Sequence, residues 1–149
     1  KKLAGFLDGR PPRWFRRVFE VEKPLEGNLG EFRDGGSACY ELFMVARGSM
    51  QYAITGPAWT WDFAAGTLLT REAGGKVVSL DSNGKFTEFD GWGSDFANDS
   101  ATYTNLRKWK ALLLSGAPDT VDFVAANLRV KRPNTLRKAA RKFRAMFGS

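Results

Sequence analysis

Histidine is absent from all 149 residues. That removes the Ser-His-Asp and Cys-His nucleophile pairs and argues against a zinc enzyme. Hydrolytic chemistry in such a chain has to run on carboxylates and hard cations. There is a single cysteine, Cys39, which cannot form an internal disulfide and suits a reducing, cytoplasmic compartment. No apolar run approaches the roughly 20 residues that a membrane-spanning helix needs. There is no signal-peptide pattern, no internal repeat and no low-complexity tract, and the first residue is Lys rather than Met. The reading that follows is a processed or truncated product whose targeting segment is out of view.

What is present describes a folded chain. A hydrophobic content of 43% with 13% aromatics excludes a disordered polypeptide, and the length suits one domain with one core. The net charge of +7 is unevenly placed. Seven of the 23 basic residues (Lys131, Arg132, Arg137, Lys138, Arg141, Lys142, Arg144) fall in residues 131–149, a stretch with no acid. The remaining 16 are matched by all 16 acidic residues of the chain, so residues 1–130 are neutral. A nucleic-acid surface spread over the whole domain is therefore not implied.

The first 34 residues are rich in Pro, Gly and Arg, with one stretch, Arg13 to Val21, that has the aromatic and β-branched content of a strand. From there the pattern alternates. Helices are expected over 37–47 with Ser37 as N-cap, over 62–73 opened by Asp62 and closed by Gly74-Gly75, and over 119–128 with Asp119 as N-cap. Strands of one sheet are expected at 50–54, 76–80 and 111–114, with Lys85 to Phe89 as a return strand after the turn Asp81-Ser82-Asn83-Gly84. Gly27 to Gly36, Thr55 to Thr60 and residues 90–109 read as loops. The fold class is α/β, a mixed β-sheet covered by helices.

One segment carries chemistry. Residues 59–75 read Trp-Thr-Trp-Asp-Phe-Ala-Ala-Gly-Thr-Leu-Leu-Thr-Arg-Glu-Ala-Gly-Gly, which sets one carboxylate, Asp62, at the head of a small-residue helix. A helix start favours a carboxylate or a phosphate through its free N–H groups and dipole. Taken alone, an ordinary capping role is the commonest reason for an Asp there, and it is the flanking residues that reverse that judgement. The run closely resembles the C-terminal signature of the inositol monophosphatase family of magnesium-dependent phosphatases, W-D-x-A-A-G followed by R-E-A-G-G. The resemblance implies the C-terminal lobe of the inositol monophosphatase and sugar phosphatase fold, with Asp62 as a ligand of Mg2+.

Two further stretches resemble the same family. Gly36-Ser37-Ala38-Cys39-Tyr40-Glu41-Leu42 with Val45-Ala46-Arg47-Gly48 is similar to its G-S-A-A-L-D-L…V-A-x-G helix. This implies that Gly36, Ser37 and Ala38 contact substrate hydroxyls or phosphate; the alternative is a capped core helix. Ala111-Leu112-Leu113-Leu114-Ser115-Gly116 resembles the terminal V-I-A-S-N strand, so the resemblance covers roughly residues 33–128. The family's other metal motif, D-P-[IL]-D-G-[ST], does not occur in this sequence. Asp8-Gly9 offers one Asp where the motif has two, and reads as a turn. The substrate-binding Glu that the family often carries seven residues before its metal Asp is replaced by Thr55.

The resemblance thus implies a phosphatase acting on a small polyol or sugar phosphate, in which metal-activated water attacks phosphorus. No complete catalytic set lies in this chain, so it is expected to be inactive alone. Residues 1–130 would form the C-terminal lobe, with an N-terminal lobe or a second copy as partner, and residues 131–149 a basic helix. The alternative is a non-catalytic binding or scaffold protein that acts through that basic helix. There Leu136, Ala140, Phe143 and Phe147 share one helical face, ringed by cations. The segment could bind RNA, an anionic membrane or an acidic partner, but packing on its own domain or a sister subunit is the preferred role of such a stripe. Changing Phe143 and Phe147 to Ser is then expected to lower the melting temperature or break a dimer, at about 3 kcal/mol or more per buried ring. Neutralising Arg137, Lys138 and Arg141 should do little. An unchanged melting temperature together with salt-dependent RNA retention would reverse that preference.

Overall fold

Strands buried on both faces must be apolar on both, and Tyr52-Ala53-Ile54 and Leu112-Leu113-Leu114 meet that condition. The computed structural model describes residues 4–5, 13–33, 35–91 and 100–131. In chain order these form β1 (Ala4–Gly5), α1 (Arg13–Val18), β2 (Phe19–Val21), β3 (Glu31–Phe32), α2 (Ala38–Ala46), β4 (Tyr52–Trp59) and α3 (Thr60–Glu72). They continue as β5 (Lys76–Leu80), β6 (Phe86–Glu88), α4 (Ser100–Lys108), β7 (Lys110–Gly116), α5 (Pro118–Ala126) and β8 (Leu128–Val130). Six strands make one mixed sheet in the order β3-β1-β4-β7-β5-β6, and β2 pairs with β8 in a separate ribbon. β1 runs parallel to β3 and β4, whereas β7 is antiparallel to both β4 and β5.

Side chains alternate across this sheet with a period of two, and each face has its own core. Tyr52, Ile54, Val78, Leu112 and Leu114 point to one face, where they meet Phe15, Phe19, Val121, Val124 and Leu128 from α1, β2, α5 and β8. Val77 and Leu113 point to the other, where they meet Leu42 of α2 and Phe63 of α3. Tyr52 is fully buried, which raises its phenol's pKa, and its hydroxyl donates to the Leu29 carbonyl at 2.7 Å, fastening the 22–30 turn to the sheet. The result is a sheet with helices on both faces, the α/β class expected from the alternation of elements.

The three principal helices and the three strands of one sheet stand where the sequence pattern puts them, give or take a few residues. Ser37 caps α2, its Oγ accepting from the Tyr40 N–H at 3.4 Å, and Gly74 at φ 79° follows the last turn of α3. Other expectations are corrected. Arg13 to Val21 is a helix turning into a strand: Phe15 and Phe19, four residues apart, are both buried and meet at 5.1 Å. Thr55 to Thr60 is not a loop, because β4 runs on to Trp59 and a register shift between Thr55 and Ala58 absorbs Gly56-Pro57. Asp119 is not the cap of α5; Ala117 holds that place and Pro118 the first turn. Residues 100–108, expected as loop, are α4. The turn at Asp8-Gly9 and the basic segment beyond Lys131 lie outside the described residues.

Helices α2 and α3 approach each other closely at Gly66. A Cβ there would lie 2.5 Å from Leu42 Cβ and 2.6 Å from its Cδ1, so only glycine lets α3 lie this close to α2. Gly66→Ala is therefore expected to destabilise by about 1–3 kcal/mol through overpacking, although Ala is the better helix former by about 1 kcal/mol. Denaturant titration of the two proteins checks the sign. A Gly66→Ala variant that gained stability would contradict the packing.

Candidate functional site

Two short connections decide which ends of the helices meet. Residues 47–51 turn the chain from α2 into β4, and β4 passes into α3 with no intervening residue. β4 thus returns along α2, and α3 returns along β4, so α2 and α3 run parallel. Their contacts agree: Leu42 meets Gly66, and one turn further on Val45 and Ala46 line the same cleft as Thr70 and Ala73. At the opposite end Ala38 packs against the cluster that holds Phe63. Both N-terminal ends therefore open on the same side of the molecule, where free N–H groups and partial positive charge collect.

This arrangement sets the sequence-derived candidates at the same end of the two helices. Gly36, Ser37 and Ala38 form the turn into α2; Gly36 adopts φ 67°, a left-handed conformation open to glycine at no cost. Beside them the Gly35 N–H donates to Glu41 Oε1 at 3.1 Å, which fixes the turn onto the helix. Asp62 stands at the third residue of α3 rather than at its cap, a place taken by Trp59. Its Oδ2 accepts from the Trp59 N–H at 2.9 Å. The carboxylate therefore has a structural task, closing the first turn in the manner of a capping box, and it remains half-buried rather than sealed. Ser37 has a comparable double character, since its hydroxyl already caps α2.

A magnesium site needs several oxygen ligands, and a two-metal site needs more. Among the described residues no three Asp, Glu, Cys or His side chains gather in a way that could hold a cation. Asp62 is one anionic ligand, and the residues described around it do not complete a cation site. Thr55, which stands where the related phosphatases often have a Glu, is buried in β4 and its Oγ1 has no hydrogen-bond partner. It cannot replace that Glu as a surface contact. Ser115, Thr67 and Thr70 are also buried polar residues, and Thr67 and Thr70 bond back to carbonyls of α3 at 3.0 and 2.8 Å.

Reading the sequence missed α4 and what it brings to this end of the molecule. Thr60 Oγ1 donates to the Leu106 carbonyl at 2.8 Å, tying the last turn of α4 to the first turn of α3. Trp109 follows as an anchor, with its ring 5.9 Å from Phe63 and 5.7 Å from Phe89. The signal was the spacing of Tyr103, Leu106 and Arg107, three and four residues apart, in a stretch otherwise too polar to read as a helix.

The chain is similar to known proteins. A curated relative, the protein named Nus factor SuhB from Haemophilus influenzae, is 31% identical over 84 residues. That match takes in 56% of this chain and 32% of the relative, so the chain spans about a third of the relative's length. The profile of the inositol monophosphatase family matches residues 12–121, which include α2, α3, the turns before them and the central strands. With well over half of its length in that match, the chain belongs to the inositol monophosphatase family.

Proposed function

We propose that this chain is the C-terminal lobe of a magnesium-dependent phosphatase acting on a small polyol or sugar phosphate monoester. The observation that carries the reading is the parallel packing of α2 on α3, through Leu42 and Gly66, which sets the Ser37 turn and the Asp62 turn at one end. Family membership supports the same reaction class. In this reading Asp62 is a magnesium ligand, Gly36, Ser37 and Ala38 meet the substrate, and the N–H groups of the two helix starts face its anionic group. The carboxylates that the described residues lack come from another lobe or another copy. In this reading residues 1–130 are the lobe and residues 131–149 an appended basic segment.

A second reading rests on the relative's name. A chain similar to a protein named as a Nus factor can serve as a non-catalytic binding or scaffold protein, using the basic segment as its contact surface. The two readings part on one experiment. The chain alone is expected to release negligible phosphate from small sugar and polyol phosphates. Co-expression with the N-terminal lobe of a related phosphatase should restore magnesium-dependent release, and Asp62→Asn should abolish it, a loss of about a hundredfold or more for one lost charge ligand. Magnesium-dependent turnover by the isolated chain that Asp62→Asn removes would refute the incomplete-site reading. Absence of turnover in every combination would favour the scaffold.

A further inference from the structure

A helix that lies on a sheet buries one stripe and turns the opposite stripe to water, where polar residues are the rule. α3 departs from that rule. Its buried side carries Phe63, Gly66, Thr67 and Thr70. Its outward side carries Trp61, Ala65, Leu68 and Leu69, all exposed, before Glu72 brings a charge to it. The neighbouring α2 adds Tyr40 and Phe43, so that five large apolar side chains on one layer are between 45% and 61% exposed. Among the described elements, α2 and α3 make their main contacts with each other and with β4, β5 and β7 beneath them. The five side chains offer roughly 500 Å² of apolar surface, about the largest patch that a stable monomer shows and one that commonly marks an interface.

The order of the residues says which partner fits. The outward positions Trp61, Ala65, Leu68 and Glu72 are spaced four, three and four apart, a pattern that reads the same in both directions. Laid antiparallel on a second copy of itself, about a two-fold axis between residues 66 and 67, the stripe sets large against small. Leu68 falls on Ala65 of the second copy, and the stem of Glu72 falls beside Trp61 of the second copy. Such self-complementarity is what a two-fold contact requires. The same axis passes over α2 near Phe43, because Leu42 lies against Gly66, so the Phe43 rings of the two copies come together at the centre. Electrostatics favour this direction. The dipoles of the parallel α2 and α3 add; a second pair running the other way offsets them and brings Glu72 to the positive start of α3 in the other copy. A parallel arrangement would set Glu72 against Glu72 and leave all four dipoles aligned. Arg47, with its guanidinium 5.9 Å from the Phe43 ring centroid, stands at the edge of the patch as a polar rim.

We infer that the outer face of α2 and α3 is the contact between two copies of this chain, related by a two-fold axis that crosses α3 between Ala65 and Leu68. Two such faces bury about 1,000 Å², at the lower end of specific interfaces, which gives a dimer of micromolar strength. The inference goes beyond the phosphatase reading. It is read out by assembly and not by turnover, so either one can fail without the other.

The test is sedimentation of the full chain over a concentration range that spans the micromolar, with circular dichroism on every variant to confirm the fold. The parent should pass from monomer to dimer. Leu68→Glu should weaken the dimer by about tenfold or more, because it sets a charge against Ala65 of the other copy. It should leave the circular dichroism spectrum of the monomer unchanged, since Leu68 is exposed. Direction is tested by cross-linking in a Cys39→Ser background, because Cys39 is itself exposed. A mixture of Trp61→Cys and Glu72→Cys chains should form the mixed disulfide. Neither should link to itself, because eleven residues of helix hold like positions about 16 Å apart. A chain that stays monomeric at hundreds of micromolar would overturn the inference. So would a dimer that Leu68→Glu leaves intact, which would place the contact elsewhere, the basic segment included. Links of position 61 to 61 or of 72 to 72 would overturn the antiparallel pairing. A monomeric chain that takes up the N-terminal lobe of a related phosphatase, and loses it on Leu68→Glu, would give the face to that lobe instead.

Discussion

The approach of Leu42 to Gly66 is the constraint on which the rest depends. A methyl group at Gly66 would overlap Leu42, so the two helices lie in a contact that larger residues would force apart. Because α2 and α3 are parallel, holding them together mid-helix also holds their starts together. The cost of such a pairing is electrostatic, since the positive ends of two helices are side by side. A carboxylate at one start and an anion in front of both would relieve it. Asp62 provides the first, and the family's chemistry on phosphate esters calls for the second.

In the proposed site one carboxylate serves structure and chemistry at once, and the same geometry is what allows it. Asp62 accepts the Trp59 N–H and so completes the transition from β4 to α3. That bond fixes its rotamer, and a fixed carboxylate is the useful kind for holding a cation. The described residues around it make no cation site by themselves. The proposal of a completing lobe follows from that shortage of ligands among the described residues.

Much of the fold was legible in residue pattern. Val77-Val78 and Leu112-Leu113-Leu114 are continuous apolar runs that mark strands buried on both faces. Ser37 and Gly74 mark helix ends through capping and left-handed backbone. Asp62 and the Ser37 turn were visible only as a resemblance, since an Asp at a helix start means little by itself. What was not legible depended on tertiary context. Phe15 and Phe19 look like strand residues until their shared burial shows the helix between them. Gly56-Pro57 looks like a loop until β7 supplies a partner with a shifted register. The polar α4 is held by Thr60 and by the Trp109 ring in the core, contacts far apart in sequence, and no local propensity announces them.

The parallel pairing of α2 and α3 is open to direct measurement by nuclear Overhauser effects in the folded chain. The account predicts cross-peaks from the Leu42 methyls to the Gly66 α-protons, from Ala46 to Thr70, and from Ala38 to the first turn of α3. Cross-peaks from Ala38 to Ala73 at the far end of α3, with none between Leu42 and Gly66, would show an antiparallel or separated pair. The Ser37 and Asp62 turns would then lie apart, and the single-site account would fail.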